Sequence, residues 1–377
     1  MDAWPLLPIN VEGSGHETWG LDNIIAGLEH NDRIRKLDLD YLPSSQMEKV
    51  SAAMQQPFPA LEVLYLYSLS ETEVVPTSFL GGSAPRLQKL YLSSIPFPGL
   101  PKLLLSTTHL VSLNLANIPH SGYFSPEAMA TALSALTSLD KLTIEFESPR
   151  SRPERRRRPP PLTHTFLPAL TRFEFKGVSE YLDDLLARID APLLDNFHIT
   201  FFHQLIFDTP QLTQFISRTP KFKACDYARA QFFDWGVLVS IQLDDALRLG
   251  ISCRPSDWQL SSLAQVCGSI FISAFETFHI REVPRDSPIW EDDIETGQWL
   301  ELLHRLPAVK YLVISRASMP RIAPTLKELV RGRATEVLPA LQTLFIDKAL
   351  PRDIHETIDK FVAARELAGH PIAVSYG

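Results

Sequence analysis

The chain has 377 residues, 45% hydrophobic and 21% charged, with a net charge of −8, values of a folded, water-facing protein whose acidic balance argues against a general nucleic-acid binder. Three cysteines, Cys225, Cys253 and Cys267, form no C-x-x-C pair, which points to a reduced intracellular compartment. The sequence shows neither a signal peptide nor an 18-residue apolar run, so a cytoplasmic or nuclear location without membrane insertion is expected.

Residues 1–33 read as an N-terminal cap. They hold a short apolar strand at Leu6–Val11 and a helix with Leu21, Ile24, Ile25 and Leu28 at helical spacing. Beyond them one pattern recurs. The stretch Phe58–Leu69 places Leu61, Leu64, Leu66 and Leu69 in the spacing L-x-x-L-x-L-x-x-L. Starts at 34, 61, 87, 110, 139, 170 and 194 give periods of 27, 26, 23, 29, 31 and 24. The pattern resumes at 275, 309 and 341. A period in this range is the signature of a leucine-rich-repeat solenoid. The expected fold is therefore α/β: a curved parallel sheet on the concave face, helices on the convex face, and about 11 irregular repeats of about 23–34 residues. Leu42, Leu69, Ile95, Ile118, Val178 and Val283 stand where many such repeats carry Asn. The turn after each strand is therefore expected to be sealed by apolar packing.

Proline keeps the same phase. Pro59, Pro85, Pro168, Pro192, Pro220, Pro307 and Pro339 each stand one or two residues ahead of the first apolar position. Pro cannot continue a helix and biases its predecessor to extended geometry, so it marks where each strand begins. Helices are predicted at 44–54, from Ser125-Pro126 to about Leu136, at 179–189, from Thr209-Pro210, and at 256–266. Residues 220–253 break the rhythm, with a degraded strand at 222–225 and an inserted β-hairpin formed by runs from Gly236 and from Leu247. Residues 148–163 carry a run of arginines and prolines with little to pack, and read as a disordered basic loop. Residues 351–377 form a C-terminal cap, a helix followed by a closing strand. All 377 residues are expected in one solenoid.

Alternation along each strand turns every second side chain outward onto the concave face. On that count the partner-binding candidates are Tyr65, Tyr67, Lys89, Tyr91, Asn114, Lys141, Arg172 and His198. Exposed aromatics beside charge are the material of binding hot spots, and they are also residues that simply suit strands. No H-E-x-x-H, G-x-S-x-G or phosphate-binding glycine loop occurs. No catalytic residue, cofactor or metal is therefore expected, and the arginine run lacks the interleaved aromatics of a base-stacking surface. A monomer that holds a protein target is the expected form.

The strings Trp4–Ile9, Asp22–Arg33, Phe79–Leu87, Ile95–Pro101 and Phe361–Arg365 with Gly369-His370-Pro371 resemble the leucine-rich-repeat region of the F-box protein family of mushroom-forming (basidiomycete) fungi, over nearly the whole chain. The resemblance implies a non-enzymatic interaction scaffold, the substrate-recognition repeats of a cullin-RING ubiquitin ligase. It further implies docking to a Skp-type adaptor if an F-box lies upstream, for none is read within this chain. The alternative is a stand-alone leucine-rich-repeat binding protein with no ubiquitin-ligase role, or a chain cut short of its F-box.

Overall fold

The computed structural model describes residues 7–14, 20–69, 73–153, 164–204, 207–223, 226–241, 246–252, 256–269, 275–283, 296–346 and 350–377. They group into two compact units, Met1–Asn196 with Arg218–Lys221 (unit 1) and Phe197–Ser217 with Phe222–Gly377 (unit 2). Each is a leucine-rich-repeat stack of strand, turn and helix.

Unit 1 contains strands β1 (Ile9–Ser14), β2 (Ile34–Leu42), β3 (Val63–Ser68), β4 (Lys89–Ser93), β5 (Ser112–Ile118), β6 (Lys141–Phe146), β7 (Thr165–Phe166), β8 (Arg172–Gly177) and β9 (Ile189–Asp190). Its helices are α1 (Leu21–Leu28), α2 (Ser44–Ala53), α3 (Leu100–Leu104), α4 (Pro126–Leu133) and α5 (Ser179–Leu186). The sheet runs β1-β2-β3-β4-β5-β6-β8, parallel at each paired step from β1 to β8, while β7 and β9 form a separate parallel pair. The repeat leucines are buried throughout: Leu37, Leu64, Leu90, Leu113 and Leu142 are each within 1% of full burial. Each such side chain contributes about 1.5–3 kcal/mol when its neighbours cover it, and no single repeat can cover its own. Helix α4 starts as its sequence dictates, with Ser125 Oγ accepting from the Ala128 N–H at 3.2 Å and Pro126 at the first position.

Six of the seven phased prolines occupy one position of a β-turn that leads into the strand, while Pro220 opens a 3-10 turn. Leu61 N–H donates to Phe58 C=O at 3.2 Å, so Pro59 is the second residue of the turn, the site its fixed φ suits best. The same bond joins Leu87 to Ala84, Leu170 to Leu167, Leu194 to Ala191, Val309 to Leu306 and Leu341 to Leu338, around Pro85, Pro168, Pro192, Pro307 and Pro339.

The expected apolar seal fails at Leu69 and is only partial at Val283, which is half-buried beside a buried Glu282. Leu42, Ile95, Ile118 and Val178 are buried as the sealing residue of their repeats, but Leu69 is 51% exposed and Ser68 is buried in its place. The cause at Leu69 is a parity shift. Tyr41, Ser94 and Asn117 have φ of 57°, 58° and 49°, and each precedes a buried apolar residue and then a proline. That left-handed residue is a bulge, visible as register shifts between Leu39 and Leu42 and between Leu115 and Ile118. Strand β3 has no such residue, so its alternation continues, Ser68 turns inward and its hydroxyl donates to Leu42 C=O at 3.3 Å.

Unit 2 takes all but the first residue of β10 (Asn196–Phe202) and all but the last of α6 (Pro210–Arg218). It continues with β11 (Tyr227–Phe233), β12 (Gly236–Ile241), β13 (Leu247–Ser252), α7 (Ser256–Ser269), β14 (Thr277–Glu282), α8 (Thr296–His304), β15 (Tyr311–Ile314), α9 (Met319–Leu329), β16 (Thr343–Ile346), α10 (Arg352–Leu367) and β17 (Ala373–Tyr376). Its strand order is β10-β13-β12-β11-β14-β15-β16-β17. Strand β12 runs antiparallel to both of its neighbours, β11 and β13, and parallel pairing holds elsewhere. The stretch read as a degraded strand at 222–225 differs: Pro220–Phe222 is a 3-10 turn, the strand begins at Tyr227, and residues 224–225 lie outside the described residues. Of the basic loop, Ser151 is buried with its hydroxyl 3.5 Å from His120 Nδ1, and residues 154–163 lie outside the described residues.

Candidate functional site

In unit 1 the helices and the inward strand residues share the core, which leaves the other sheet face open. Strand register fixes which side chains are neighbours there. One row reads Lys36, Val63, Lys89, Ser112, Lys141 and Arg172. The next reads Glu12, Asp38, Tyr65, Tyr91, Asn114, Thr143 and Glu174. Tyr65 and Tyr91 therefore sit side by side, with ring centroids 5.8 Å apart and planes at 47°. Tyr67 does not join them. It meets Tyr41 edge-on at 4.9 Å, and Tyr41 is 42% exposed. Tyr41 was not among the sequence candidates, because its outward position depends on the bulge.

Charge is sorted along this face. At one edge Lys36 Nζ lies 2.7 Å from Glu12 and 2.9 Å from Asp38, bonds that hold its ammonium well above the usual lysine range. Burial, with Asp38 as a lesser cause, raises the Asp40 carboxyl. Further along, Glu145 is raised by burial, opposed by Lys176 and assisted by Glu174. Along the first of these rows Lys89, Lys141 and Arg172 are exposed, and none has a side-chain hydrogen bond or ion pair among the described residues. Asn114 is half-buried beside Tyr91, and its Oδ1 is buried with no partner among the described residues. Such an acceptor costs about 1–3 kcal/mol, a cost placed at the centre of the face.

The structure thus brings Tyr65, Lys89, Tyr91, Asn114, Lys141 and Arg172 onto two neighbouring rows. Tyr67 lies on the third row, opposite Ser93. His198 belongs to unit 2, half-buried on β10 and opposite Arg248 of β13. Sequence reading passed over Tyr227 and Arg229 of β11, where Arg229 Nε and Nη2 donate to Tyr227 Oη at 3.0 and 2.8 Å. The period-2 alternation from Tyr227 to Phe233 carries only a faint signal, because two of its inward positions are Ala228 and Ala230. Among the described residues no group of three or more His, Cys, Asp or Glu side chains is placed to hold a metal ion, and no helix is long and apolar enough to cross a membrane.

No protein-family model matches the chain, and no curated protein matches it. Among solved structures, the leucine-rich repeat-containing protein LegL7 of Legionella pneumophila aligns over 82% of this chain and 93% of its own, at 13% identity and a TM-score of 0.31. A score that low carries no argument, and the leucine-rich-repeat assignment stands on the strand order, register and burial given above.

Proposed function

We propose that the chain is a protein-recognition scaffold that seats its partner on the open face of unit 1, centred on Tyr65 and Tyr91. The observation that supports this reading is the sorting of that face: a tyrosine pair flanked by Lys89, Lys141 and Arg172, cations without counter-charges among the described residues. Tyrosine supplies contact area at low entropy cost, and the cations steer and orient. The test is capture on the immobilised full chain, read by mass spectrometry, for wild type against the Tyr65→Ala/Tyr91→Ala double variant. A protein held by wild type and lost by the variant, with the melting temperature preserved, supports the reading. An unchanged set of captured proteins refutes it.

The narrower reading makes that partner the target of a cullin-RING ubiquitin ligase. It is supported by the resemblance of the residue strings to the repeats of F-box proteins. It predicts that the captured protein accumulates in cells when the Skp-type adaptor is depleted. An unchanged level together with no co-purification of the adaptor removes it and leaves the stand-alone scaffold.

A further inference from the structure

Unit 2 has an open sheet face of a different chemistry. Its outward positions on β11, β14, β15 and β16 are Tyr227, Arg229, Gln231 and Phe233; Thr277, His279 and Arg281; Tyr311 and Val313; and Thr343 and Phe345. No carboxylate stands among them, nor among the described outward residues of β10, β12, β13 and β17. In a chain of net charge −8 this face is locally cationic. Arg281 and Arg316 are exposed and form no side-chain hydrogen bond or ion pair among the described residues, and Arg229 is bonded to the Tyr227 hydroxyl rather than to an acid.

The same face contains a depression of about 690 Å³. Its floor includes Tyr311, Val313 and Phe345, and Thr277, His279 and Arg316 are among its rim. The floor is apolar and reachable: Tyr311 is 37% exposed. Burial first, and Arg229 second, lower the His279 pKa, so near neutral pH the positive charge here comes from arginine. Tyr227 lies 4.9 Å from the His279 ring and closes one side.

We infer that this depression binds an acidic segment of a partner protein, with one apolar side chain of the segment seated on Tyr311, Val313 and Phe345 and its carboxylates meeting Arg281 and Arg316. Charge complementarity selects the occupant. Unpaired guanidiniums on a face without carboxylates favour carboxylate ligands, which they bind in a bidentate fork. An aliphatic and aromatic floor requires an apolar side chain to cover it. A long polyanion such as RNA would meet the acidic remainder of the chain, whereas a short acidic segment meets only this patch. This site is separate from the one proposed on unit 1, and its failure leaves that proposal standing.

The test is selection of a randomised displayed peptide library on the immobilised full chain. Enrichment is counter-screened against the Arg281→Glu/Arg316→Glu variant, whose exposed positions leave folding intact, as a melting curve checks. The expected result is a consensus of Asp or Glu flanking a Leu, Ile or Phe. Synthesised, that peptide binds wild type and Tyr65→Ala/Tyr91→Ala alike, and at least tenfold more weakly to Arg281→Glu/Arg316→Glu and to Val313→Gln. No enrichment, a neutral or basic consensus, or retention by the charge-reversed variant overturns the inference. So does retention of polyuridylate RNA that depends on Arg281 and Arg316, which makes the face a nucleic-acid surface.

Discussion

Tyr65 and Tyr91 stand directly opposite one another on adjacent parallel strands, with ring centroids 5.8 Å apart. Both rings are half-exposed, so their pairing adds little to the core beneath. A double-mutant cycle of Tyr65→Ala and Tyr91→Ala in urea unfolding is expected to give a coupling of about 0.5–1 kcal/mol and a total loss below about 2 kcal/mol. A total loss of 4 kcal/mol or more, of the order of buried aromatics, would show the pair to be structural and remove the main support for a binding role.

The bulges make a second prediction. Ser94 and Asn117 hold left-handed backbone, which costs a side chain bearing Cβ roughly 1 kcal/mol and costs glycine little. Ser94→Gly is therefore expected to be neutral or stabilising by up to about 1 kcal/mol, against the usual loss for glycine in a strand. The next residue, Ile95, is buried, and Ile95→Ala should lose about 2–4 kcal/mol. If Ser94→Gly destabilises by as much as Ile95→Ala, the bulge does not set the inward turn of Ile95.

These bulges also mark the limit of what the sequence made legible. The leucine spacing located the parallel strands, because burying one face of a strand forces period-2 alternation that a single chain displays openly. The proline phase showed too, since its fixed φ suits one turn position. The rows of the candidate site followed from the alternation, so the sequence alone placed Tyr65, Tyr91, Lys89 and Lys141 on one face of the sheet. Parity after the strand was not legible. Leu69 and Ile95 look alike in the pattern, and only the left-handed Ser94 separates a buried from an exposed outcome. Strand β11 was missed for another reason: Ala228 and Ala230 face the core as small residues and weaken the apolar signal. Pairing of charges across strands, such as Lys36 with Glu12, depends on register and lies beyond any single repeat.

Arg365 supplies a third prediction. Its side chain is fully buried on α10, and Nη1 donates to the carbonyls of Ala334 at 2.9 Å and Val337 at 3.3 Å. Nε and Nη2 have no hydrogen-bond partner among the described residues, and burial lowers its pKa. Removing the guanidinium relieves an uncompensated charge but orphans two carbonyls, terms of similar size and opposite sign. Arg365→Met, which keeps the volume, should stay within about 1 kcal/mol of wild type, while Arg365→Ala adds a cavity and loses about 2–4 kcal/mol. Equal losses in both variants would mean that the two hydrogen bonds, not the volume, hold the C-terminal helix.

Cys267 offers a probe of unit 2. It is 3% exposed on α7, and burial pushes its thiol well above the ordinary cysteine range, so almost no thiolate is present at pH 8. Iodoacetamide followed by peptide mapping should leave Cys267 unmodified in the native protein and label it as urea unfolds the unit. Native labelling at the rate of a free cysteine peptide would contradict the packing of α7.

Glu145 links the open face of unit 1 to pH. It lies opposite Lys176 in the sheet register, yet burial raises its carboxyl above the ordinary glutamate range despite that lysine. A raised folded pKa means the folded state holds the proton more tightly than the unfolded one. Folding then takes up protons in this window, and stability falls as pH rises through it. Above the folded pKa the ionised group opposes folding; below the unfolded pKa it is neutral in both states and the penalty disappears. Glu145→Gln removes the charge while keeping the shape. It is therefore expected to raise the urea midpoint at pH 7 and to leave it unchanged near pH 3.5. A midpoint lowered at pH 7 would show that the Lys176 pairing outweighs burial, and an equal gain at both pH values would assign the effect to packing instead of charge.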